Sequence, residues 1–264
     1  MTRQERKGQA LRALHGGDPF VIPNPWDAGS ARVLEALGFQ ALATTSSGFA
    51  FTLGRLDGGS SLDDVAAHVT ALDEATELPI SVDLENGYGA EPETAAQAIA
   101  RVAEAGAVGG SIEDWDPAEG RIYDLAHAVE RVTAAGETAR GLGFPFALVA
   151  RAENHIRDNP DLDDTIARLQ AFESAGADVL YAPGLRTVEE IRTVCEAVSM
   201  PVNVLALPNL GVAEIFESGA QRISVGGGLA WVAVSAFVDA ATAIRDGGDL
   251  SPLATRLRLS DLLG

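Results

Sequence analysis

The stretch Ile80-Ser81-Val82-Asp83-Leu84-Glu85-Asn86-Gly87-Tyr88-Gly89 holds the residue types and spacing best suited to chemistry. Pro79 opens an apolar run of strand character, and Gly87 and Gly89 close it in a loop. Side chains alternate between the faces of a strand, so Asp83 and Glu85 are expected to point the same way, about 7 Å apart. Two carboxylates on one inward face repel each other and lose hydration unless a cation sits between them. An oxygen-only ligand set suits a hard ion that keeps several waters, Mg2+ first and Mn2+ second. One isolated Asp-x-Glu pair would equally suit a strand end with two solvated acids. The rest of the chain has to decide.

Similar residues close the other apolar runs. Thr44-Thr45-Ser46-Ser47-Gly48 supplies hydroxyl and backbone N–H donors suited to a carboxylate or phosphonate, or else forms a plain polar turn. A long loop holding Asp57 follows. Further on come Ile112-Glu113-Asp114 and Arg151-Ala152-Glu153-Asn154-His155. Facing several acids and a bound anion, Arg151 would act as a bidentate clamp; on a surface it would be an ordinary ion pair. Asn203 lies inside an apolar run, where a buried amide needs partners. His155 is the candidate for a general acid, against the alternative of a solvated loop histidine. Arg121 and Tyr123 could close over a substrate as a lid or simply begin a helix. Cys195 reads as a packing cysteine, and His15, His68 and His127 are given no role.

These positions need elements that gather them. Eight apolar runs, at 20–23, 41–45, 79–84, 109–113, 146–152, 179–182, 201–205 and 222–225, alternate with helix-length amphipathic segments. Among the latter are 61–76, 91–104, 123–142, 161–174 and 188–198, and a leader helix is expected over 4–14. Glycine recurs where helices must stop, as in Ala105-Gly106-Ala107 and Ala175-Gly176-Ala177. Eight strands alternating with helices over about 250 residues predict a closed parallel (β/α)8 TIM barrel, with active residues at the C-terminal ends of the strands. The first strand lacks the G-x-G-x-x-G turn of an open doubly wound sheet. The whole chain, 1–264, reads as one domain, with a leader over 1–18. The leucine-rich tail over 249–264 reads as a packing segment able to dock on a neighbouring subunit.

Composition narrows the function. The chain has 264 residues, 47% of them hydrophobic, and a formal charge of −19. That charge argues against nucleic-acid or anionic-membrane partners, and an anionic substrate would need a locally positive pocket. No continuous apolar run reaches the roughly 18 to 20 residues of a membrane span. The polar N-terminus lacks a signal-peptide core, so a cytoplasmic location is expected. A single cysteine excludes an internal disulfide. Lys7 is the only lysine and lies in the leader, so Schiff-base chemistry is not expected. P-loop and nucleophile-elbow motifs are absent.

Taken in order, Pro23-Asn-Pro-Trp-Asp-Ala-Gly, Thr45-Ser46-Ser47-Gly48, Gly54-Arg-Leu-Asp57, Val82-Asp83-Leu-Glu85-Asn-Gly87-Tyr88-Gly89, Ser-Ile-Glu113-Asp114 and Ala-Arg151 resemble the isocitrate lyase/phosphoenolpyruvate mutase superfamily, from about residue 20 to 230. The resemblance implies a (β/α)8 barrel, usually a tetramer that exchanges its last helix. It implies Mg2+ at Asp83, Glu85 and Glu113, held partly through water. It implies a substrate carboxylate on Ser46-Ser47-Gly48, a clamp at Arg151, Asp57 beside the reacting group, and Asn203 near a substrate-binding asparagine. The chain departs from the lyases of the family at the gating loop, which here reads Asp114-Trp-Asp-Pro-Ala-Glu-Gly-Arg121 and lacks their Cys and Lys. It also lacks the mutases' Asn-Ser pair, and Pro183 stands where lyases carry a glutamate.

The expectation is therefore a Mg2+-dependent enzyme that cleaves a C–C bond in a small 2-oxo or 2-hydroxy carboxylic acid through a metal-stabilised enolate. A phosphonomutase and a non-catalytic 2-oxo acid binder are the alternatives. Its partners would be the carboxylate substrate and copies of itself, as a dimer or tetramer.

Overall fold

Helix starts in this chain are written in its sequence. Thr2 with Glu5, Asp27 with Ser30, Ser61 with Asp64 and Thr187 with Glu190 each form a reciprocal capping box, which satisfies backbone N–H groups that a helix end leaves orphaned. The computed structural model describes residues 1–254 and 257–263. Helices α1 (Arg3–His15), α2 (Ala28–Ala36), α3 (Ser46–Thr52), α4 (Leu62–Ala75), α5 (Pro92–Glu104) and α6 (Leu125–Gly141) are followed by α7 (Leu162–Ser174), α8 (Val188–Ala197), α9 (Val212–Glu217), α10 (Gly228–Gly247) and α11 (Ser260–Leu263).

The eight expected strands all form, most of them a residue or two shorter than the apolar runs; the run 109–113 keeps its full length and 41–45 shrinks to two residues. They are β1 (Phe20–Ile22), β2 (Leu42–Ala43), β3 (Ile80–Asp83), β4 (Gly109–Glu113), β5 (Ala147–Arg151), β6 (Val179–Tyr181), β7 (Val202–Leu205) and β8 (Arg222–Ser224). All pair in parallel, in sequence order from β2 to β8, and β8 returns to β1. At the remaining seam the Ala43 N–H donates to the Pro23 carbonyl at 3.0 Å. Asn24 fastens the same seam: its Nδ2 donates to the Thr44 carbonyl, and its Oδ1 accepts from the N–H groups of Val225 and Gly226. The result is the (β/α)8 barrel that the alternation predicts.

The main core lies between the strands and the helix ring; α5, for example, buries Ala95, Ala98, Ile99, Val102 and Ala103 at helical spacing. A smaller cluster of Leu11, Phe20, Ile22, Ala41, Ala43, Val108 and Ala147 fills the bottom of the barrel beneath α1. There Lys7 is buried and paired with Asp73 at 2.6 Å. The single lysine is thus a structural cation at the end of the barrel opposite the strand C-termini.

Three expectations need correction. Residues 46–52 form a helix and not a polar turn, because Thr45 caps it through Gly48 N–H. Gly48 lets that helix approach β1's loop: a Cβ there would lie 3.2 Å from Trp26 Cβ and 2.7 Å from Thr45 Cγ2. The loop after β4 contains a small hairpin, Trp115–Asp116 with Arg121–Ile122, in which Tyr123 is buried and so is no lid residue. Finally, although no continuous apolar run is long enough to span a bilayer, α10 is so by length and mean hydropathy, 1.3 over its best window.

Helix α10 buries only Ala230 and exposes Trp231, Val232, Phe237 and Val238. The tail that follows bends back on its own chain. Arg32 Nη2 donates to the Leu263 carbonyl, and Leu259 and Leu263 face Leu34 and Leu37 of the α2 region. Gly264 lies outside the described residues.

Acid sensitivity follows from one packing contact. His68 on α4 stacks on Phe49 of α3, with ring centroids 4.0 Å apart. Burial holds its pKa down at about 4, only partly opposed by Asp27. The unfolded imidazole titrates near 6.5, so the folded state binds fewer protons, and stability present above pH 6.5 is lost as pH falls toward 4. The difference corresponds to about 3 kcal/mol. His68→Leu should flatten the acid side of a urea-unfolding series by that amount; an unchanged slope between pH 7 and pH 4 would count against this origin.

Candidate active site

The acids converge where the strands end. Asp83 closes β3, and its Oδ1 accepts from Arg151 Nη1 at 2.9 Å and from Ser111 Oγ at 3.4 Å. Its Oδ2 accepts the Ser46 N–H at 3.3 Å, which ties it to the first turn of α3. The Asp83 N–H donates to Thr44 Oγ1 at 2.8 Å. Glu113 closes β4 in register with Arg151 and pairs with its Nη2 at 3.1 Å.

Glu85 reaches this wall by a different route from the one expected. β3 ends at Asp83, so strand alternation does not carry through to Glu85. Its backbone is left-handed, with φ of 50°, and Tyr88 and Gly87 follow at 65° and 80°. A non-glycine residue held this way costs on the order of 1–3 kcal/mol, which the surroundings must supply. The Asp57 loop packs over it: a Cβ on Gly58 would lie 3.7 Å from Glu85 Oε2. Burial, with Asp83 and Asp57 as neighbouring charges, pushes the Glu85 carboxyl up to about 7.

Arg151 is the hub. Its Nε and Nη2 both donate to Glu153 Oε1, at 3.0 and 2.7 Å, while Nη1 holds Asp83. Burial, which lowers its pKa, is outweighed by Glu153, Glu113 and Asp83, so it stays protonated. Arg157 pairs with Glu153 at 3.2 Å, lies 3.7 Å from Glu113, and stacks over Trp115. Sequence reasoning gave no role to Glu153 or Arg157. Their spacing after Arg151, two and six residues, was the available signal, but it shows nothing until the short 3-10 turn Asn154–Ile156 folds the chain back. Asp114, next to Glu113, is turned away to Arg168 at 3.1 Å and to the Glu153 N–H at 2.8 Å.

The remaining candidates are placed as follows. Arg151, Asp83, Thr45 and Asn203 line one cavity of about 60 Å³ inside the strand ends. Ser47 Oγ lies 3.2 Å from Thr45 Oγ1 at its rim. Asp57 is exposed in the loop above Glu85. His155 is not brought to the cavity: the charges acting on it are Glu190, Arg186 and Asp161, and its Cβ lies beside Gly184. The 3-10 turn carries it away from the cavity lining.

Whether the wall suits a divalent cation can be judged from its charges. Asp83, Glu85, Glu113 and Glu153 are four carboxylates against the two guanidiniums of Arg151 and Arg157. Two positive charges are wanting, and Glu113, like Glu85, has its pKa raised, chiefly by burial. Among the described residues no three acid, His or Cys side chains come together as direct ligands of one ion. Arg151 occupies the inner oxygens of Asp83 and Glu113, so a cation at the expected trio of Asp83, Glu85 and Glu113 would be held largely through its water. The all-oxygen set and the two-charge deficit fit a hard divalent cation that keeps much of its water.

A sequence model of the phosphoenolpyruvate phosphomutase family matches residues 11–245. The chain belongs to this family. The barrel is similar to that of a Burkholderia cenocepacia protein assigned only to the lyase/mutase class, with a TM-score of 0.95, 48% identity, and coverage of 99% of this chain and 96% of that one. It is similar to oxaloacetate acetylhydrolase in complex with the product oxalate, with a TM-score of 0.87, 25% identity, and coverage of 98% and 94%. In sequence it is similar to oxaloacetate decarboxylase of Bradyrhizobium sp., at 29% identity over 85% of this chain and 79% of the relative. As a phosphoenolpyruvate mutase family member, the chain is an enzyme of the isocitrate lyase/phosphoenolpyruvate mutase superfamily, whose members similar to it include lyases. Members of the family are typically dependent on a divalent metal.

Proposed function

We propose that this protein is a Mg2+-dependent lyase that breaks a C–C bond in a small 2-oxo or 2-hydroxy carboxylic acid. The observation that carries the reading is the wall of four acids around Arg151, two positive charges short, from which Asp83 and Arg151 reach a cavity at the strand ends. Asp83, Glu85 and Glu113 would hold the cation through its water shell. Bound there, Mg2+ or Mn2+ would supply Lewis-acid stabilisation of charge developing on substrate oxygens. Thr45 and the Ser46-Ser47-Gly48 turn receive the substrate carboxylate, which competes with Asp83 for the Ser46 N–H. Arg151 clamps the neighbouring oxygens, and Asn203 offers an amide donor from below. The Asp57 loop excludes water from the reacting carbon. The names of the oxaloacetate-acting relatives support a 2-oxo diacid as substrate.

Incubation with Mg2+ and a panel of 2-oxo and 2-hydroxy diacids should release pyruvate, glyoxylate or oxalate, read by coupled assay or NMR. A 31P exchange between phosphate-ester and phosphonate signals would replace the lyase reading with a mutase. Mg2+-dependent thermal stabilisation by 2-oxo acids without any turnover would make it a binder.

The uncovered face of α10 supports assembly with copies of the same chain, dimeric or tetrameric, with that helix laid on a neighbour while the tail packs on its own α2. Phe237, 70% exposed, sits in that face. Phe237→Glu should lower the mass measured by light scattering to that of a smaller species. An unchanged mass would remove α10 from the interface.

A further inference from the structure

Arg222 opens β8 with its side chain inside the barrel, 3% exposed and without a carboxylate partner among the described residues. Its Nε donates to Asn203 Oδ1 at 2.8 Å, and its Nη1 lies 3.3 Å from His15 Nε2 on α1. Nη2 has no hydrogen-bond partner among the described residues. The contrast with Arg151 and Arg131, which are also packed into the fold, is informative. Arg151 faces three acids, and Arg131 is capped by the carbonyls of Asn86, Gly89, Ala90 and Glu91. Arg222 has only an amide and an imidazole. Burial draws its pKa down to about 10, with the Tyr181 hydroxyl alone acting against that. A buried cation left without counter-charge is among the costliest groups a fold can carry.

The surroundings are polarised by this one side chain. A guanidinium only donates, so the Asn203 amide must turn its Oδ1 toward Arg222. Its Nδ2 then donates to Ser224 Oγ at 3.0 Å. Arg222, Asn203 and Ser224 all line the cavity of about 60 Å³ that Asp83 and Arg151 also line. Arg222 stands at the start of its strand, two residues below Ser224, and so lies toward the floor. Donors and positive charge therefore gather at the floor, while the carboxylates stand at the mouth.

We propose that Arg222, with Asn203 and Ser224, forms a second anion subsite on the cavity floor, sized for one compact oxyanion such as a carboxylate. The anion is either the far carboxylate of the substrate, an arm that rests on the proposed lyase reading, or a free formate-sized ion.

The probe is sodium formate, titrated into the Mg2+-loaded full chain with sodium chloride holding the ionic strength constant. The unfolding midpoint should rise by several degrees with formate and not with chloride. Arg222→Gln should abolish the rise, and Arg222→Lys should keep part of it. A wild-type midpoint indifferent to formate overturns the proposal whether or not the variants fold. So does a folded Arg222→Gln protein that responds as the wild type does. Saturation with a four-carbon dicarboxylate such as malate identifies the source: it removes the formate response if the anion is substrate-borne and leaves it if the anion is free. Failure of every 2-oxo and 2-hydroxy acid to turn over would remove the lyase reading and leave the formate response standing.

Discussion

Asp83→Ala is expected to lower kcat/KM by roughly a thousandfold, the size seen when a preorganised charge-stabilising group is deleted. No other acid of the wall connects as many parts. Its two oxygens bind the Arg151 clamp, the Ser111 hydroxyl and the first N–H of α3. Its removal takes charge from the cation's wall and releases the turn that receives the carboxylate. Asp83→Asn separates these effects, because it keeps the shape and much of the hydrogen bonding but not the charge. Both variants should be assayed across a Mg2+ titration, with unfolding midpoints to show that they are folded. Activity within tenfold of wild type at saturating Mg2+ would remove Asp83 from the mechanism.

Arg151→Met is the second large effect, and it acts on stability as well as turnover. Asp83, Glu113 and Glu153 would lose their shared partner, and Glu153 is fully buried. Breaking a buried ion pair from one side costs about 3–5 kcal/mol, because the remaining charge is stranded. Arg157 still touches Glu153 and Glu113, so the lower end of that range is expected. The pKa of Glu113, which burial already raises and Arg151 holds down, would rise further without that partner, leaving its folded pKa above the unfolded value. Stability would then be fully present below the unfolded pKa and lost as pH rises through the folded one, so the variant should be firmer at pH 5 than at pH 8. Adding Glu153→Gln should recover stability at pH 8 without recovering turnover. If denaturant unfolding finds Arg151→Met as stable as wild type at both pH values, the hub role is wrong.

Much of the fold was legible in the residues. Capping pairs such as Ser61 with Asp64 mark helix starts, glycines such as Gly106 and Gly176 mark their ends with positive φ, and apolar runs supply the strands between. These are local signals, carried within a few residues. The acids at the ends of β3 and β4 and the arginine ending β5 were legible for the same reason, since alternation and strand length place them at one end of the barrel.

What the chain could not announce depends on contacts between distant positions. Asp83 and Arg151 meet across 68 residues of sequence, and only parallel pairing of β3, β4 and β5 brings them together. That meeting decides that Arg151, and not a bare cation, occupies the inner oxygens. Left-handed backbone at Glu85, the placement of His155 away from the cavity lining and the diversion of Asp114 to Arg168 are likewise settled by packing, which overrides the strand period at its ends. Residue order determined an eight-stranded barrel with an acid-rich mouth. Tertiary structure alone decided which acids are already paired, which still lack positive charge, and that Arg222 stands unpaired on the floor, because the worth of a charge depends on what burial leaves beside it.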